Sequence, residues 1–321
     1  MNKIFLSCSL LIAGAFFSQA ALAAELPEHA KYLQEFSYDS LPANLENFYV
    51  SSGASAENLS QKILNILSPG AKSFKQADLT NGTYEYTTDN HWTVKLAASG
   101  NAGSIFSQEM EQVAFQNKIP LAKALSDEQV ANVSVKLLKN NFAQIFPLAE
   151  DEELVPVRVG KGVYSVLDDT TKQMVQTVDR YYISFARKKA GLYFLGGGSF
   201  VRMSLGPTGE LVELEFDWPT YSLLSTSRAP KLSSKETLMA RSQQIVSRLR
   251  TASDAASLSK QIKMCGYYDP GAQKRTQGHV AQLACAIVDK SKNKDKSLLM
   301  LVPAAETPLG DASWQELSLM K

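Results

Sequence analysis

Leu211-Val212-Glu213-Leu214-Glu215-Phe216-Asp217-Trp218 is the stretch on which the fold turns. Apolar and acidic residues alternate along it, so Val212, Leu214, Phe216 and Trp218 fall on one side of an extended chain. Glu213, Glu215 and Asp217 fall on the other. A period of two marks a strand with one dry and one wet face, the signature of an antiparallel sheet. Gly206-Pro207-Thr208-Gly209 supplies the turn that leads into it.

Working outward, strand-like runs precede this one at Leu154 to Val159, Val163 to Leu167, Met174 to Val178, Tyr181 to Arg187 and Phe200 to Leu205. A helix stands before them. Ser126 followed by Gln129 is a capping box, and Val130, Val133, Leu137 and Leu138 supply a buried stripe up to the break near Pro147. The same order recurs on both sides. Leu59, Ile63, Ile66 and Leu67 recur at helical spacing and stop at Pro69-Gly70. A hairpin follows, Thr83 to Thr87 and Trp92 to Leu96, turning at Asp89-Asn90. Residues 98 to 120 read equally as strand or helix, and Glu25 to Leu41 has helical potential. Downstream, Ser233 and Glu236 form a second capping box, with Leu238, Ile245, Val246 and Leu249 on one stripe. Strands Val280 to Val288 and Leu298 to Val302 then flank a basic run, Lys290 to Lys296, which reads as a solvated hairpin tip. The expected class is α+β, with two or three successive modules of one helix packed on an antiparallel sheet.

The N-terminus reads as a cleavable signal peptide from Met1 to about Ala24. Lys3 gives the positive end, Ile4 to Phe17 the apolar stretch, and Ala21-Leu22-Ala23 the cleavage site, leaving Ala24 or Glu25 first in the mature chain. Cys8 lies inside the apolar stretch, where it is not an acylation site. The expected location is secreted or periplasmic, with no membrane insertion after cleavage. The 33 basic and 32 acidic residues nearly cancel, and removing Lys3 levels them. A neutral chain lacks the basic excess that nucleic acid or an anionic membrane surface demands. Of the three cysteines only Cys265 and Cys285 remain in the mature chain. In an oxidising compartment they are expected to form one disulfide.

No constellation of residues points to catalysis. Ser257-Leu258-Ser259-Lys260 matches the S-x-x-K pattern, but the S-D-N and K-T-G elements that complete it are missing. Gly196-Gly197-Gly198-Ser199 has neither the trailing Gly of a nucleophile elbow nor the Lys of a phosphate loop, and reads as a tight turn. Three histidines, His29, His91 and His279, stand apart from one another, and no H-E-x-x-H occurs. Glu213 and Glu215 share a strand face, a spacing that glycosidase pairs use, yet their alternation is also that of a solvated face. Tyr267, Tyr268 and Trp92 read as core aromatics rather than a binding surface. No catalytic, cofactor or metal residues are therefore assigned, and no cofactor is expected.

The stretch from Ser126 to Trp218 carries a family pattern. A capped helix and the step Pro147 to Leu154 lead to Tyr181-Tyr182-Ile183-Ser184-Phe185-Ala186-Arg187, then to Gly191, Gly196-Gly197-Gly198 and the strands Phe200 to Leu205 and Leu211 to Trp218. This resembles the PepSY-like modules of secreted bacterial proteins and the related propeptide domains of thermolysin-type proteases. The resemblance implies a cystatin-like fold, one helix wrapped by an antiparallel sheet, and a module that binds or restrains proteins, proteases among them. It implies no catalytic residues, and the hairpin around Asp168-Asp169 departs from the pattern. The expected organisation is thus a signal peptide at 1–24, an α+β module at 25–120, a PepSY-like module at 121–232 and a disulfide-bearing module at 233–321. The expected function is non-catalytic binding of another extracytoplasmic protein, as a protease inhibitor or accessory factor, with strand Tyr181 to Arg187 as a contact surface. The competing readings are a cell-envelope hydrolase with a scattered site and an envelope assembly factor.

Overall fold

A computed structural model describes residues 37–51, 55–69, 75–80, 82–88, 90–168, 170–225, 230–249, 257–275, 278–291, 298–309 and 317–319. The expected signal peptide at 1–24, most of the stretch 25–41 and most of the basic run at 290–296 lie outside these residues.

The first helix, α1 (Ala56–Leu67), starts where the Ser55 hydroxyl accepts the Asn58 N–H and buries Leu59 and Ile63. Strands β2 (Lys75–Thr80), β3 (Thr83–Thr87), β4 (Trp92–Ala97) and β5 (Ala102–Ser107) follow as an antiparallel meander. The ambiguous stretch after residue 98 is thus strand and then helix, since Ser107 ends β5 and caps α2 (Gln108–Gln116). The central helix α3 (Asp127–Asn141) has the full capping box between Ser126 and Gln129. Its buried face is Val130, Ala131, Ser134 and Leu138, while Val133 points outward.

The four runs expected between 154 and 187 are two long strands, β7 (Glu152–Leu167) and β8 (Met174–Lys189), joined by a hairpin around Asp168. A bulge, not a break, separates the runs at Gly162/Val163, opposite Val178 and Arg180, and a second bulge at Pro156/Arg158 falls inside the first run. A short β6 (Ile119–Pro120) lies against β8. Next come β9 (Leu192–Leu195), β10 (Phe200–Leu205), β11 (Leu211–Asp217) and β12 (Thr220–Leu223). The helix α4 (Lys235–Leu249) is capped by Ser234 rather than Ser233, with the Ser234 hydroxyl accepting the Thr237 N–H. Strands β13 (Ser257–Tyr268), β14 (Val280–Ser291), β15 (Leu298–Pro303) and β16 (Leu317–Leu319) complete the chain, and β1 (Phe48–Ser51) pairs with both β12 and β14.

The expectation of two or three cystatin-like modules does not hold. All the strands join one mixed sheet, ordered β12-β1-β14-β13-β9-β8-β10-β11-β5-β4-β3-β2, with β15 and β16 continuing from β14 and β6 and β7 on β8. Strand β5 pairs with β11, so the first hairpins extend the central sheet instead of closing a sheet of their own. Gly103 makes that junction possible. A Cβ there would collide with the Lys95 carbonyl and the Leu96 side chain, and would press on the Phe216 ring. Helices α1 and α3 therefore cover one continuous core, in which Leu59 and Ile63 meet Val130 and Leu138 over Ile105, Leu214, Phe216 and Trp218. The dry side of β11 is as the alternation foretells, with Val212 buried as well. The sheet is antiparallel except where β9 runs parallel to β13. A second core lies under α4, where Leu238, Ile245 and Val246 pack on Leu283, Ile287, Met300 and Val302 and on Tyr38 and Leu45 from the start of the described chain. Strands β10 and β7 pair with β8 on its two sides, so Tyr181 to Arg187 offers no free edge for strand addition.

Cys265 and Cys285 face each other across β13 and β14 and form the disulfide, with Cα atoms 4.0 Å apart. No described helix is long and apolar enough to cross a membrane.

Candidate functional site

The two cores meet at a seam, and the polar groups buried there come from elements far apart in sequence. Asp217, which the alternation puts on the wet face, is buried at the end of β11. The loop after β13 explains this. Its Arg275 reaches Asp217 at 3.1 Å and Asp269 at 2.8 Å, and the Ala272 N–H donates to Asp217 at 2.6 Å. Asp269 is wholly buried and accepts further from the Gly271 N–H and the Tyr221 hydroxyl, the latter at 2.6 Å. The glycine turn before β10 wraps this loop. A side chain at Gly198 would strike the Asp269 carboxylate, and the Gly198 N–H donates to the Asp269 carbonyl.

Electrostatics follow from this burial. Desolvation pushes the Asp217 pKa up to about 6, opposed by Arg275 and assisted by the Asp269 charge. Burial works against the Arg275 charge, but Asp269 and Asp217 outweigh it and hold the guanidinium above its ordinary pKa. Tyr221 is held protonated by burial and then by Asp269 beside it, so it donates to that carboxylate. Ser199 sits 2.7 Å from the Tyr221 oxygen. With the Tyr221 proton on Asp269, the Ser199 hydroxyl donates to Tyr221. Ser199 is buried, with its hydroxyl engaged by Tyr221. Burial lowers the pKa of His279.

Tyr221 links the seam to a cleft of about 270 Å3 at the end of the sheet. The apolar lining includes Leu59, Ile145, Leu148, Phe216 and Trp218, and Arg187 and Glu152 are the buried charges. Trp218 is fixed by its indole N–H on the Pro147 carbonyl and by an edge contact with Phe146. The Arg187 guanidinium lies over the Trp218 ring at 4.5 Å and the Tyr221 ring at 5.0 Å. It donates to the Pro219 carbonyl and to Glu152. Glu152 also accepts from the Ala149 N–H at 3.0 Å and lies 3.5 Å from the Lys189 ammonium. Three donors thus hold the Glu152 carboxylate. The cleft holds aromatic and aliphatic surface around a closed ion pair, an arrangement suited to recognition and poor in reactive groups. Strand β12 borders it, and among the described residues β12 pairs only with β1, leaving its outer edge open.

The residues singled out by sequence are dispersed. Glu215 is bound by Arg202 at 3.0 Å, while burial and then Glu215 raise the pKa of Glu213, so the two carboxyls do not act as a free pair. Ser257 opens a strand rather than a helix turn, and Lys260 lies 3.7 Å from Asp289. His91 sits in the β3–β4 turn with φ of 59°. Tyr267, Tyr268 and Trp92 are core. Asp217, Asp269, Arg275, Arg187 and Glu152 were not anticipated. The only sequence trace of the seam is glycine density, at 196–198 and at Gly271. No protein-family model and no curated protein matches this chain.

Proposed function

We propose that the mature chain is exported, secreted or periplasmic, and binds an extended segment of another protein at the Arg187–Trp218 cleft without catalysing a reaction. The observation that carries this reading is the closed ion pair: the buried carboxylate of the cleft, Glu152, is consumed by Arg187, Lys189 and a backbone N–H. A general base needs a carboxylate free to take a proton. The cleft is small, about 270 Å3, and its aliphatic and aromatic walls suit a large apolar side chain. The open edge of β12 supplies backbone donors and acceptors beside it, so a partner strand laid there would present alternate side chains to the cleft. A disulfide between the two mature cysteines fits an oxidising compartment. The PepSY-like resemblance of 126–218 makes an exported protease one such partner, with inhibition or escort as the activity.

The test compares the mature chain with Leu148→Asp, which puts a charge on an exposed wall of the cleft and leaves the core intact. A partner retained from the envelope or medium by the parent chain and lost by Leu148→Asp is the expected result. Turnover of peptide, ester or peptidoglycan substrates by the parent chain, abolished by a cleft substitution, would establish a hydrolase instead.

A further inference from the structure

The far end of the β7–β8 hairpin inverts the usual arrangement of a protein surface. Val163 to Leu167 reads Val-Tyr-Ser-Val-Leu, without charge or proline. Val163, Tyr164 and Leu167 are 44%, 46% and 56% exposed, and Met174, opposite Leu167, is 65% exposed. Phe115 of α2, also exposed, meets the Tyr164 ring edge-on at 6.4 Å. Among the described residues β7 pairs with β8 alone, so the outward backbone groups of this segment have no strand beside them. The half of β7 nearer the seam carries the features that protect an edge, a proline at a bulge (Pro156) and the charges of Arg158 and Lys161. The far half carries none. Uncharged, β-prone segments on an open edge are templates for pairing.

The geometry points to a second copy of this chain as the occupant, paired antiparallel through residues 163–167 about a twofold axis at Ser165. That register is self-complementary. Val163 lies opposite Leu167 of the other copy on one face of the extended sheet, and Tyr164 lies opposite Val166 on the other. The smallest residue, Ser165, meets itself on the axis. Charge agrees with this register. Lys161 of each copy comes alongside the turn of the other, where Asp168 holds its carboxyl below the ordinary range by accepting the Thr171 and Thr170 N–H groups. Lys161 already leans towards an acid, Asp127, at 3.4 Å. A one-residue slip would move the axis off Ser165, set Val163 against Val166 and leave Tyr164 against Ser165. The result is an isologous dimer with one continuous sheet.

Sedimentation velocity of the mature chain over a concentration series, with three variants, tests this. The parent chain is expected to pass from monomer to dimer in the micromolar range that a small interface supports. Val166→Lys/Leu167→Lys is expected to stay monomeric with an unchanged melting profile. Ser165→Cys is expected to form a covalent dimer under mild oxidation more than about tenfold faster than Thr208→Cys, because the axis holds the two thiols at high effective concentration. A parent chain that is monomeric throughout overturns the inference. So does a dimer that survives the double lysine variant, or Ser165→Cys cross-linking no faster than Thr208→Cys.

Discussion

The seam and the hairpin end are opposites. At the seam, charges are buried and every carboxylate oxygen of Asp217 and Asp269 has a donor. At the hairpin end, apolar side chains are exposed and the edge backbone has no strand beside it. Burying charge costs several kcal/mol per ion before pairing offsets it, so a completed cluster of this kind fixes one arrangement of two halves rather than adding much net stability. Exposing apolar surface costs nothing in the interior and leaves free energy available to a contact. The seam thus holds the cores of α1/α3 and of α4 in one body, while β7 and β12 are among the strands that pair on one side only within the described residues.

That contrast is most easily broken at Arg275. Arg275→Met removes the donor shared by Asp217 and Asp269 and strands two buried carboxylates. Urea unfolding is expected to show a loss of about 3–5 kcal/mol, and a loss below about 1 kcal/mol would show that the cluster is not a fastener. Separating Cys265 from Cys285 by a double alanine substitution comes next. It reopens a loop of 20 residues, and the chain-entropy account gives a cost of roughly 3 kcal/mol. A change in melting temperature too small to measure would refute that account.

Asp217 sharpens the contrast through pH. Its folded pKa is raised from 3.8 to about 6, so the folded state binds this proton more tightly than the unfolded one. The stabilisation is therefore complete below about pH 4 and is lost as pH rises through 6, up to about 3 kcal/mol by linkage. Asp217→Asn cannot titrate, so the parent chain should lose stability relative to it between pH 4 and 6. Parallel curves across that window would show that Asp217 is ionised at its ordinary pKa. The smallest effect belongs to the hairpin. Leu167→Lys is expected to change stability by less than about 0.5 kcal/mol, as surface substitutions do, and a larger loss would mean that the exposed end is part of the core.

Local order was legible in the sequence because it depends on neighbours along the chain. The Ser126–Gln129 cap, the β3–β4 hairpin and the dry side of β11 all follow from period and turn chemistry. Pairing partners were not legible. Nothing in Ala102 to Ser107 states that it will lie beside Leu211 to Asp217, and that single pairing replaces separate modules with one sheet. The same reason hid the seam. Asp217 continues the alternation of Glu213 and Glu215, so its burial depends wholly on a loop some fifty residues downstream, which brings Arg275 and the Ala272 N–H to it. Arg187 reads as the last residue of a strand, and only the fold sets it between Trp218 and Tyr221.

The division of labour between these regions is tested most directly by site-specific photo-crosslinking in the exporting cell, with the photoreactive residue placed once at Leu148 on the cleft wall and once at Leu167 on the hairpin. The account expects Leu148 to yield an adduct with a different protein and Leu167 to yield an adduct of twice the mature mass, while a probe at Thr208 yields neither. No protein adduct at Leu148 in envelope or medium would contradict the binding role of the cleft, and adducts at Thr208 as abundant as those at the other two sites would contradict the assignment of contact to the open ends of the sheet.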